Sequence, residues 1–380
     1  MTTTTQTTKF DLVHFKRIVI KVGSNVLTNA DGLDYLVFEN LGGQMAALKA
    51  KGYEIILVSS GAVAAGMRKI GLSEKPAEMP QKQALAAIGQ ADLIHTWENV
   101  FEKSNLRAAQ ILLTSEDLSV RKRYLNARNT LLCLLAWNMI PIINENDSVA
   151  VDEIKLGDND NLGAMIALLM DADLLINLSD IDGLYDKDPR THNDAVLLDI
   201  VPHVSRETEK YAGGTGSSVG TGGMLTKIKA ARKTAAAGIP MIIANAMTKN
   251  VLERLLAGEK LGTLFTGQTR RLSSRKCWLA FSAKPKGVLV VNDGASEVLQ
   301  ENGKSLLPIG IVGINGNFGV GSAVSIHNLA GEVLGQGLVN YASNDIRRIM
   351  GHRSEDIAGI LGQKPYDEVI HRDNMVLGFC

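Results

Sequence analysis

The chain has 380 residues, enough for about two domains at ~100–200 residues each. Lys plus Arg (40) balances Asp plus Glu (40), so no overall charge directs the protein to nucleic acid or to a membrane surface. The hydrophobic content of 45% is ordinary for a globular protein that buries a core. Three widely separated cysteines form neither a disulfide framework nor a zinc motif, and they fit a reducing, cytosolic setting. We expect no signal peptide in the polar segment 1–8 and no spanning helix, because the longest apolar run, 131–143, is interrupted by Asn138 and Pro141.

The first predicted strand covers 17–22 and ends in a tight turn, Gly23-Ser24-Asn25. Lys21 lies at the end of this strand, where burial beside a glycine turn favours an anion as its partner over simple exposure to solvent. The second predicted strand, 54–58, ends in a turn of small residues at 59–62 that leads into a helix. Free N–H groups and the helix dipole at such a turn favour a phosphate or a carboxylate, although small residues also serve close packing.

Further along the chain, the apolar pattern alternates between that of strands and that of helices. Helices are expected at 34–50, 81–103 and 121–137, and strands at 108–113, 141–143, 172–178 and 240–244. This alternation predicts an α/β fold, a doubly wound, mostly parallel sheet sandwiched by helices.

The stretch from Pro141 to Leu169 carries two polar clusters, at 144–147 and 157–161. The first reads Asn-Glu-Asn-Asp and follows a strand, and the second reads Gly-Asp-Asn-Asp-Asn and opens an apolar helix at 162–169. Asp and Asn are common helix caps, but two such clusters exceed what one cap needs. Because ligands bind at the carboxyl ends of the strands in open α/β sheets, we expect a ligand site here.

A glycine-rich loop at 213–224 leads into a helix that begins with Leu225-Thr226-Lys227. The loop matches neither the dinucleotide-binding fingerprint nor the P-loop. Its glycines let the backbone approach a ligand and align N–H groups on it, and Lys227 falls in the first turn of the helix. We interpret this segment as a polyphosphate site, and a flexible linker is the alternative.

The composition changes near Thr269, where Arg and Lys cluster and glycine-punctuated strands replace the helix patterns. Strands are expected at 287–291, 323–326 and 331–339, which indicates a small β-rich domain. The predicted domains are a disordered N-terminal tail at 1–14, an α/β domain at 15–268, a linker at 269–283 and the β-rich domain at 284–380.

Lysines at glycine turns, glycine-rich loops before helices and Asp/Asn clusters at strand ends together suit phosphoryl transfer. The sequence offers no convincing Ser-His-Asp set, CxxC motif or histidine metal pair. Phosphoryl transfer depends on positioning and charge neutralisation more than on a covalent catalyst. A carboxylate acceptor is already ionised at pH 7 and needs no general base, but lysines, Mg²⁺ and helix N-termini must then offset the repulsion between the reactants.

Several motifs occur in a characteristic order, namely Val22-Gly23-Ser24, Val58-Ser59-Ser60-Gly61-Ala62, Asn144-Glu145-Asn146-Asp147, Gly157-Asp158-Asn159-Asp160-Asn161 and Thr221-Gly222-Gly223-Met224 with Lys227. Together they resemble the amino acid kinase family, and within it the glutamate 5-kinase family. The C-terminal segments 306–311 and 316–319 are similar to the PUA domain that many bacterial members carry. The resemblance covers roughly Phe15 to the C-terminus.

The resemblance implies that the protein phosphorylates the γ-carboxylate of L-glutamate with ATP, which gives L-glutamyl 5-phosphate in the first step of proline synthesis. It implies catalytic roles for Lys21 and Lys227, which stabilise the transferring group, and for Asp160, which orients both lysines. The residues implied to hold glutamate are Ser60, Asp147 and Asn159. Those implied to bind the nucleotide are Lys21, Ser179, Asp180, Thr221, Gly222, Gly223, Met224, Leu225, Thr226 and Lys227. Mg²⁺ is expected to be carried by ATP, without direct protein ligands.

Two other functions stay open. A kinase of the same fold could act on another small acid, such as acetylglutamate, aspartate or carbamate, although the PUA-like tail and the paired Asn/Asp clusters argue against it. An RNA-binding or RNA-modifying protein is the second alternative, because PUA domains in other contexts bind RNA, but the balanced charge gives it no support. The family resemblance also implies a cytoplasmic homo-oligomer, a dimer or tetramer, that is inhibited by proline and functionally associated with glutamyl-phosphate reductase. No membrane partner is expected.

Overall fold

The computed structural model describes residues 10, 12, 14–29, 32–149, 158–205, 208, 209, 211, 223–267 and 272–378. These residues group into two compact units. The first holds the described residues of Met1–Leu118 and Lys122–Arg271, and the second holds those of Ser119–Arg121 and Leu272–Cys380. Every helix in the described part of the chain is too short or too polar to cross a membrane.

Strands and helices alternate through the first part of the chain, as predicted. Its strands are β1 (Arg17–Val22), β2 (Thr28–Asn29), β3 (Gly32–Leu33), β4 (Glu54–Ser59), β5 (Ala108–Leu113), β6 (Ile140–Glu145), β7 (Leu174–Ser179), β8 (Ile200–Val201), β9 (Met241–Asn245) and β10 (Thr263–Phe265). Its helices are α1 (Ser24–Leu27), α2 (Tyr35–Ala50), α3 (Ala62–Lys69), α4 (Met79–Glu102), α5 (Ser115–Ser119), α6 (Arg121–Ala136), α7 (Asn159–Met170), α8 (Met224–Ala236) and α9 (Val251–Leu256).

The main sheet of the first unit has the strand order β5-β6-β4-β1-β7-β9-β10-β8. Its neighbouring strands are parallel except β9 and β10, which are antiparallel. β1 lies between β4 and β7, so β4, β5 and β6 form one half of the sheet and the later strands lie on the other side of β1. The predicted doubly wound, mostly parallel sheet is therefore confirmed, and its strand order changes direction at β1, where such sheets bind ligands.

Side chains of β1 alternate between the two faces of the sheet. Ile18, Ile20 and Val22 contribute to a hydrophobic core that also holds buried residues of α2, α4 and α9. Lys21 therefore points to the opposite face, where a Cβ placed on Gly163 of α7 would be 3.3 Å from the Cβ of Lys21. The sheet is covered by helices on both faces, and α7 lies directly over the end of β1.

Two details of the first unit differ from the sequence predictions. β6 extends to Glu145, so the first half of the Asn-Glu-Asn-Asp cluster belongs to the strand and is buried. Phe10 and Leu12 fall in the segment predicted as a disordered tail, but both are buried in the hydrophobic core, and the N–H of Phe10 donates to the carbonyl of Gly258 at 2.8 Å. Large apolar side chains at alternate positions explain this packing, because their burial stabilises an ordered segment. The Thr-rich residues 1–8 of the predicted tail lie outside the described residues.

The second unit has its own sheet and its own core. Its strands are β11 (Gly287–Val291), β12 (Ile311–Gly316), β13 (Ala323–His327), β14 (Val333–Leu338) and β15 (Met375–Leu377). They follow the order β12-β11-β13-β14-β15 and are antiparallel to their neighbours except for β11 and β13. Its helices are α10 (Ser274–Phe281), α11 (Asp293–Asn302), α12 (Ser343–Ile349) and α13 (Ile357–Leu361), with 3₁₀ turns at Pro308–Gly310, Ser354–Asp356 and Arg372–Asn374.

The predicted β-rich region thus forms a sheet, but it also contains short helices that the sequence pattern did not indicate. One of them, α10, lies within the segment predicted as a linker. Cys277, Trp278 and Leu279 of this helix are buried, whereas the neighbouring Arg275 and Lys276 made the segment look polar. The helix groups with the second unit, so the ordered part of that unit begins before the predicted start at 284.

Candidate functional site

A cavity of ≈ 340 Å³ opens at the carboxyl ends of the central strands β1, β4, β6 and β7. Its walls also include the first residues of α1, α3 and α7. The cavity therefore lies at the position that the strand order predicts. The residues singled out from the sequence that line it are Lys21, Ser60, Asp147, Asn159, Asp160, Ser179, Asp180 and Lys227.

Asp160 lies between the two lysines at the inner end of this cavity. The Nζ of Lys21 is 2.5 Å from Oδ1 of Asp160, and the Nζ of Lys227 is 3.1 Å from Oδ2. All three side chains are at most 5% exposed. Asp160 is therefore close enough to both lysines to orient them, as the sequence resemblance implies. The catalytic roles of the three residues stay a prediction.

Two neutral donors complete the surroundings of the Asp160 carboxylate. The amide Nδ2 of Asn177 donates to Oδ1 at 2.9 Å, and the hydroxyl of Thr226 lies 2.6 Å from Oδ2 and also 2.6 Å from the carbonyl oxygen of Gly223. Each carboxylate oxygen therefore lies within hydrogen-bond distance of one lysine and of one uncharged side chain. Asn177 comes from β7 and Thr226 from α8, so the sheet and a helix both hold the carboxylate.

The charges of the cluster determine its pKa values. Burial by itself raises the pKa of Asp160, but the attraction of Lys21 and Lys227 outweighs burial and lowers that pKa to about 2. Burial lowers the pKa of Lys21 below its ordinary value, and Asp160 opposes this effect. Asp160 is thus ionised at neutral pH, and one carboxylate faces two lysines, which favours the binding of a further anion.

The first turns of α7 and α8 bring this cluster together. The side chain of Asp158 caps α7 by accepting from the N–H of Asn161 at 2.8 Å, which places Asp160 in the first turn. Gly163 lies one turn later on the same face of α7, and its lack of a side chain allows α7 to approach Lys21 closely. Lys227 lies in the first turn of α8. The positive ends of both helix dipoles therefore meet at one site.

Asn159 connects α7 to two strand ends. Its Nδ2 lies within hydrogen-bond distance of the Ser59 carbonyl (3.1 Å), the Ser60 hydroxyl (2.8 Å) and Oδ1 of Asn144 (2.9 Å). Asn144 in turn donates to Oε1 of Gln90 on α4 at 2.8 Å. Next to Ser60, Gly61 adopts φ +110° at the start of α3, a left-handed conformation that favours glycine. The structure thus brings the predicted Ser60 and Asn159 into direct contact.

A second polar group lies at the end of β7. The hydroxyl of Ser179 donates to Oδ1 of Asp180 at 3.0 Å, and Nδ2 of Asn25 donates to Oδ2 of Asp180 at 3.0 Å. Burial raises the pKa of Asp180, but these hydrogen bonds outweigh it and lower the pKa overall. Ser179 and Asp180 are therefore adjacent to α1 on the same rim of the cavity.

The predicted residues of the glycine loop divide into two groups. Thr221 and Gly222 lie outside the described residues. Gly223 precedes α8, and Met224 and Leu225 open the helix, but these residues do not line the cavity, whereas Lys227 does.

Comparison with known proteins agrees with this geometry. Residues 16–245 match the model of the amino acid kinase family, and residues 287–361 match that of the PUA domain. The chain is 53% identical over 362 residues to the glutamate 5-kinase of Caldanaerobacter subterraneus subsp. tengcongensis, which covers 95% of this chain and 97% of that protein. It is 49% identical to the glutamate 5-kinases of Geobacter sulfurreducens (95% and 97% covered) and Carboxydothermus hydrogenoformans (96% and 98% covered). The chain belongs to the glutamate 5-kinase branch of the amino acid kinase family.

Several residues of this amino acid kinase site were not singled out from the sequence. The sequence pattern placed Asn177 within an apolar strand and Asn25 within a glycine turn, and neither position indicated a role in the site. Lys75 and Lys82 line the cavity from the region that follows α3, where no motif marks them. Lys82 lies on α4 and Lys75 in the loop before it, and only the tertiary placement of this region beside the strand ends reveals the two lysines.

The carboxylates of the cavity give this family member a donor set rich in oxygen. Glu145, Asp147, Asp158 and Asp180 all line it. Burial and repulsion by the nearby Asp160 raise the pKa of Asp158. Within the described residues, no group of three or more His, Cys, Asp or Glu side chains is placed to hold a metal ion.

Proposed function

We propose that the protein transfers the γ-phosphoryl group of ATP to the γ-carboxylate of L-glutamate and so forms L-glutamyl 5-phosphate, the first step of proline biosynthesis. The observation that carries this proposal is the buried cluster of Lys21, Asp160 and Lys227 at the inner end of the cavity. The near full-length similarity to glutamate 5-kinases supports glutamate as the acceptor.

The chemistry follows from the charges of the cluster. A γ-carboxylate is ionised at neutral pH, so the acceptor attacks without a general base. The barrier comes from bringing this anion to a polyphosphate, and two lysines with one carboxylate supply the positive charge that offsets it. Lys21 and Lys227 stabilise the charge that spreads over the transferring phosphoryl group, while Asp160 keeps both ammonium groups at fixed positions. The N-termini of α7 and α8 add further positive potential.

Opposite walls of the cavity serve the two substrates. Glutamate is bound by Ser60, Asp147 and Asn159. The carboxylate of Asp147 suits the α-ammonium group of glutamate, and the neutral side chains of Ser60 and Asn159 suit its carboxylates. The nucleotide binds along Ser179 and Asp180 and at the start of α8. This arrangement would direct the γ-phosphoryl group to the two lysines between the walls.

Mg²⁺ carried by ATP would supply additional neutralisation of phosphate charge. The oxygen-rich donor set of the cavity fits such a hard cation. Asp158 and Asp180 are the residues that would face it.

We expect a cytoplasmic homo-oligomer, a dimer or tetramer, that is inhibited by proline and works in functional association with glutamyl-phosphate reductase. The second unit is the PUA domain by its match to that family model.

The test is ATP-dependent formation of γ-glutamyl hydroxamate from L-glutamate, Mg²⁺ and hydroxylamine, with and without L-proline. Activity that proline suppresses is the expected result. Parallel reactions replace glutamate by aspartate or by acetylglutamate, and faster turnover of either acid would overturn the assignment of glutamate. Activity that is indifferent to proline would remove only the regulatory part of the proposal.

A further inference from the structure

Asn177 is a fully buried amide in the middle of the main sheet. Its side chain is 0% exposed, and its neighbours on β7, Ile176 and Leu178, point to the hydrophobic core on the other face. In the register of the sheet, Asn177 pairs with Lys21 of β1. The two side chains therefore lie next to each other on the face that α7 covers.

The orientation of this amide follows from its partner. The Nδ2 of Asn177 is 2.9 Å from Oδ1 of Asp160, the same oxygen that lies 2.5 Å from Lys21. An ionised carboxylate only accepts hydrogen bonds, so the amide must present its NH₂ group to Asp160. On the other side of the carboxylate, Thr226 and Lys227 contact Oδ2.

We infer that Asn177 is a positioning residue of the phosphoryl-transfer site, which fixes the plane of the Asp160 carboxylate and thereby the places of both lysines. A carboxylate that is held only by flexible lysine side chains can rotate about its Cβ–Cγ bond. A donor on the rigid central strand β7 prevents this rotation, and Thr226 on α8 does the same for the second oxygen. This inference deepens the proposed function and rests on it for its kinetic readout.

The fold itself gives no reason for an amide at this position. Oδ1 of Asn177 has no hydrogen-bond partner among the described residues. An unpaired buried carbonyl lowers stability, and a branched apolar side chain would suit the centre of a parallel sheet better. The amide is therefore explained by what it does to Asp160 and not by what it adds to the packing of β7.

The first experiment replaces the amide by an apolar side chain of similar size. Asn177→Leu is expected to lower kcat about tenfold, to leave KM for ATP and for glutamate within about twofold, and to keep or raise Tm. Asn177→Val provides a second variant, with a smaller side chain that suits a strand, if leucine does not fit. Thr234→Val is the matched control, because Thr234 is a buried hydroxyl of α8 that donates to the carbonyl of Ala231 at 3.1 Å and should keep the wild-type kcat.

A second readout does not require turnover. The charged groups that face Lys21 are Asp160 on α7, Asp158 at the N-cap of α7 and Lys227 on α8, and Asp160 is the strongest of them in raising the pKa of Lys21. If Asn177 holds Asp160 in place, Asn177→Leu should lower the pKa of Lys21 further. NMR titration of ¹³C-labelled lysine side chains measures this pKa, and the resonance of Lys21 is identified by its loss in Lys21→Met.

The outcomes separate this inference from the proposed function. A wild-type protein that does not phosphorylate glutamate would overturn the proposed function, while the pKa of Lys21 would still test the role of Asn177. An unchanged kcat together with an unchanged Lys21 pKa in folded Asn177→Leu or Asn177→Val would overturn the inference. A lower Tm with unchanged kcat and Lys21 pKa would assign Asn177 a structural role alone and would overturn it as well.

Discussion

Lys227 and Asp160 are 67 residues apart in the chain, yet Nζ of the lysine and Oδ2 of the carboxylate are 3.1 Å apart, between the first turns of α8 and α7. Lys21 reaches the other oxygen of the same carboxylate from β1. One buried anion thus holds two cations that come from the sheet and from a separate helix. This relationship links the stability of the site to its chemistry.

Replacing Lys227 tests the electrostatic role of this cluster. Lys227→Ala should lower kcat by roughly 100-fold or more, because a preorganised stabiliser of the transferring group is lost. The fold should remain, since Asp160 keeps its ion pair with Lys21. Steady-state kinetics and circular dichroism measure the two effects. Lys229→Ala, an exposed lysine on the same helix, is the control, and near-wild-type turnover in folded Lys227→Ala would remove that lysine from the mechanism.

Replacing Asp160 tests the stability of the cluster. Asp160→Asn leaves two buried lysines without their carboxylate, so the free energy of unfolding should fall by about 3–5 kcal/mol near pH 7. Because the folded pKa of about 2 lies below the ordinary 3.8, Asp160 stabilises the protein above pH ~4, and this stabilisation is lost as pH falls toward 2. The difference between wild type and variant should therefore shrink in acid.

Urea denaturation at pH 7 and at about pH 3 measures this difference. Asp199→Asn, which removes a 58% exposed carboxylate in a surface pair with Lys260, should change stability by no more than ~1 kcal/mol at either pH. A difference between wild type and Asp160→Asn that stays constant with pH would contradict the assigned pKa.

Replacing Asp147 tests the substrate wall of the cavity. Asp147→Asn removes the charge proposed to bind the α-ammonium group, so KM for glutamate should rise about 10–100-fold while KM for ATP changes little. The measurement is initial rate against each substrate. Asp92→Asn, a carboxylate on α4 that pairs with Lys69 at the surface, is the control. Equal increases in both KM values would argue against a specific contact with glutamate.

A close approach of two helices supports the wall that contains Ser60. A Cβ placed on Gly89 of α4 would lie 1.9 Å from the carbonyl oxygen of Ala62 on α3, so the two helices can touch only because position 89 has no side chain. Gly89→Ala should therefore destabilise the protein by about 1–3 kcal/mol through overpacking.

Gly43→Ala is the matched control for this substitution. Gly43 lies on the exposed face of α2 with nothing within 4 Å of an added Cβ, and alanine there should stabilise by roughly 0.5–1 kcal/mol. Chemical denaturation gives both values. A neutral Gly89→Ala would show that α3 and α4 can separate without loss.

Much of the fold was predictable because its signals are local. The alternation of strand and helix patterns predicted the doubly wound sheet, since each element buries a face whose period is written in its own residues. Because ligands bind at the carboxyl ends of parallel strands, Lys21, Ser60 and the Asn/Asp clusters were predicted to lie at one edge of the sheet. The small helices of the second unit escaped prediction because five to ten residues carry too little periodicity.

The sequence by itself determined the order of strands and helices, the polar strand ends and the basic residues that open helices, because each of these depends on neighbours along the chain. Tertiary structure alone decided that Asn177 faces the same carboxylate as Lys21, and that Lys75 and Lys82, from the loop before α4 and from its first turn, reach the cavity. Strand register and helix packing set those contacts, and both depend on residues far apart in the chain. The hydrogen-bond partner of Asn177 therefore cannot be predicted from its apolar strand alone. It is set by the pairing of β7 with β1 and by the packing of α7 over both strands.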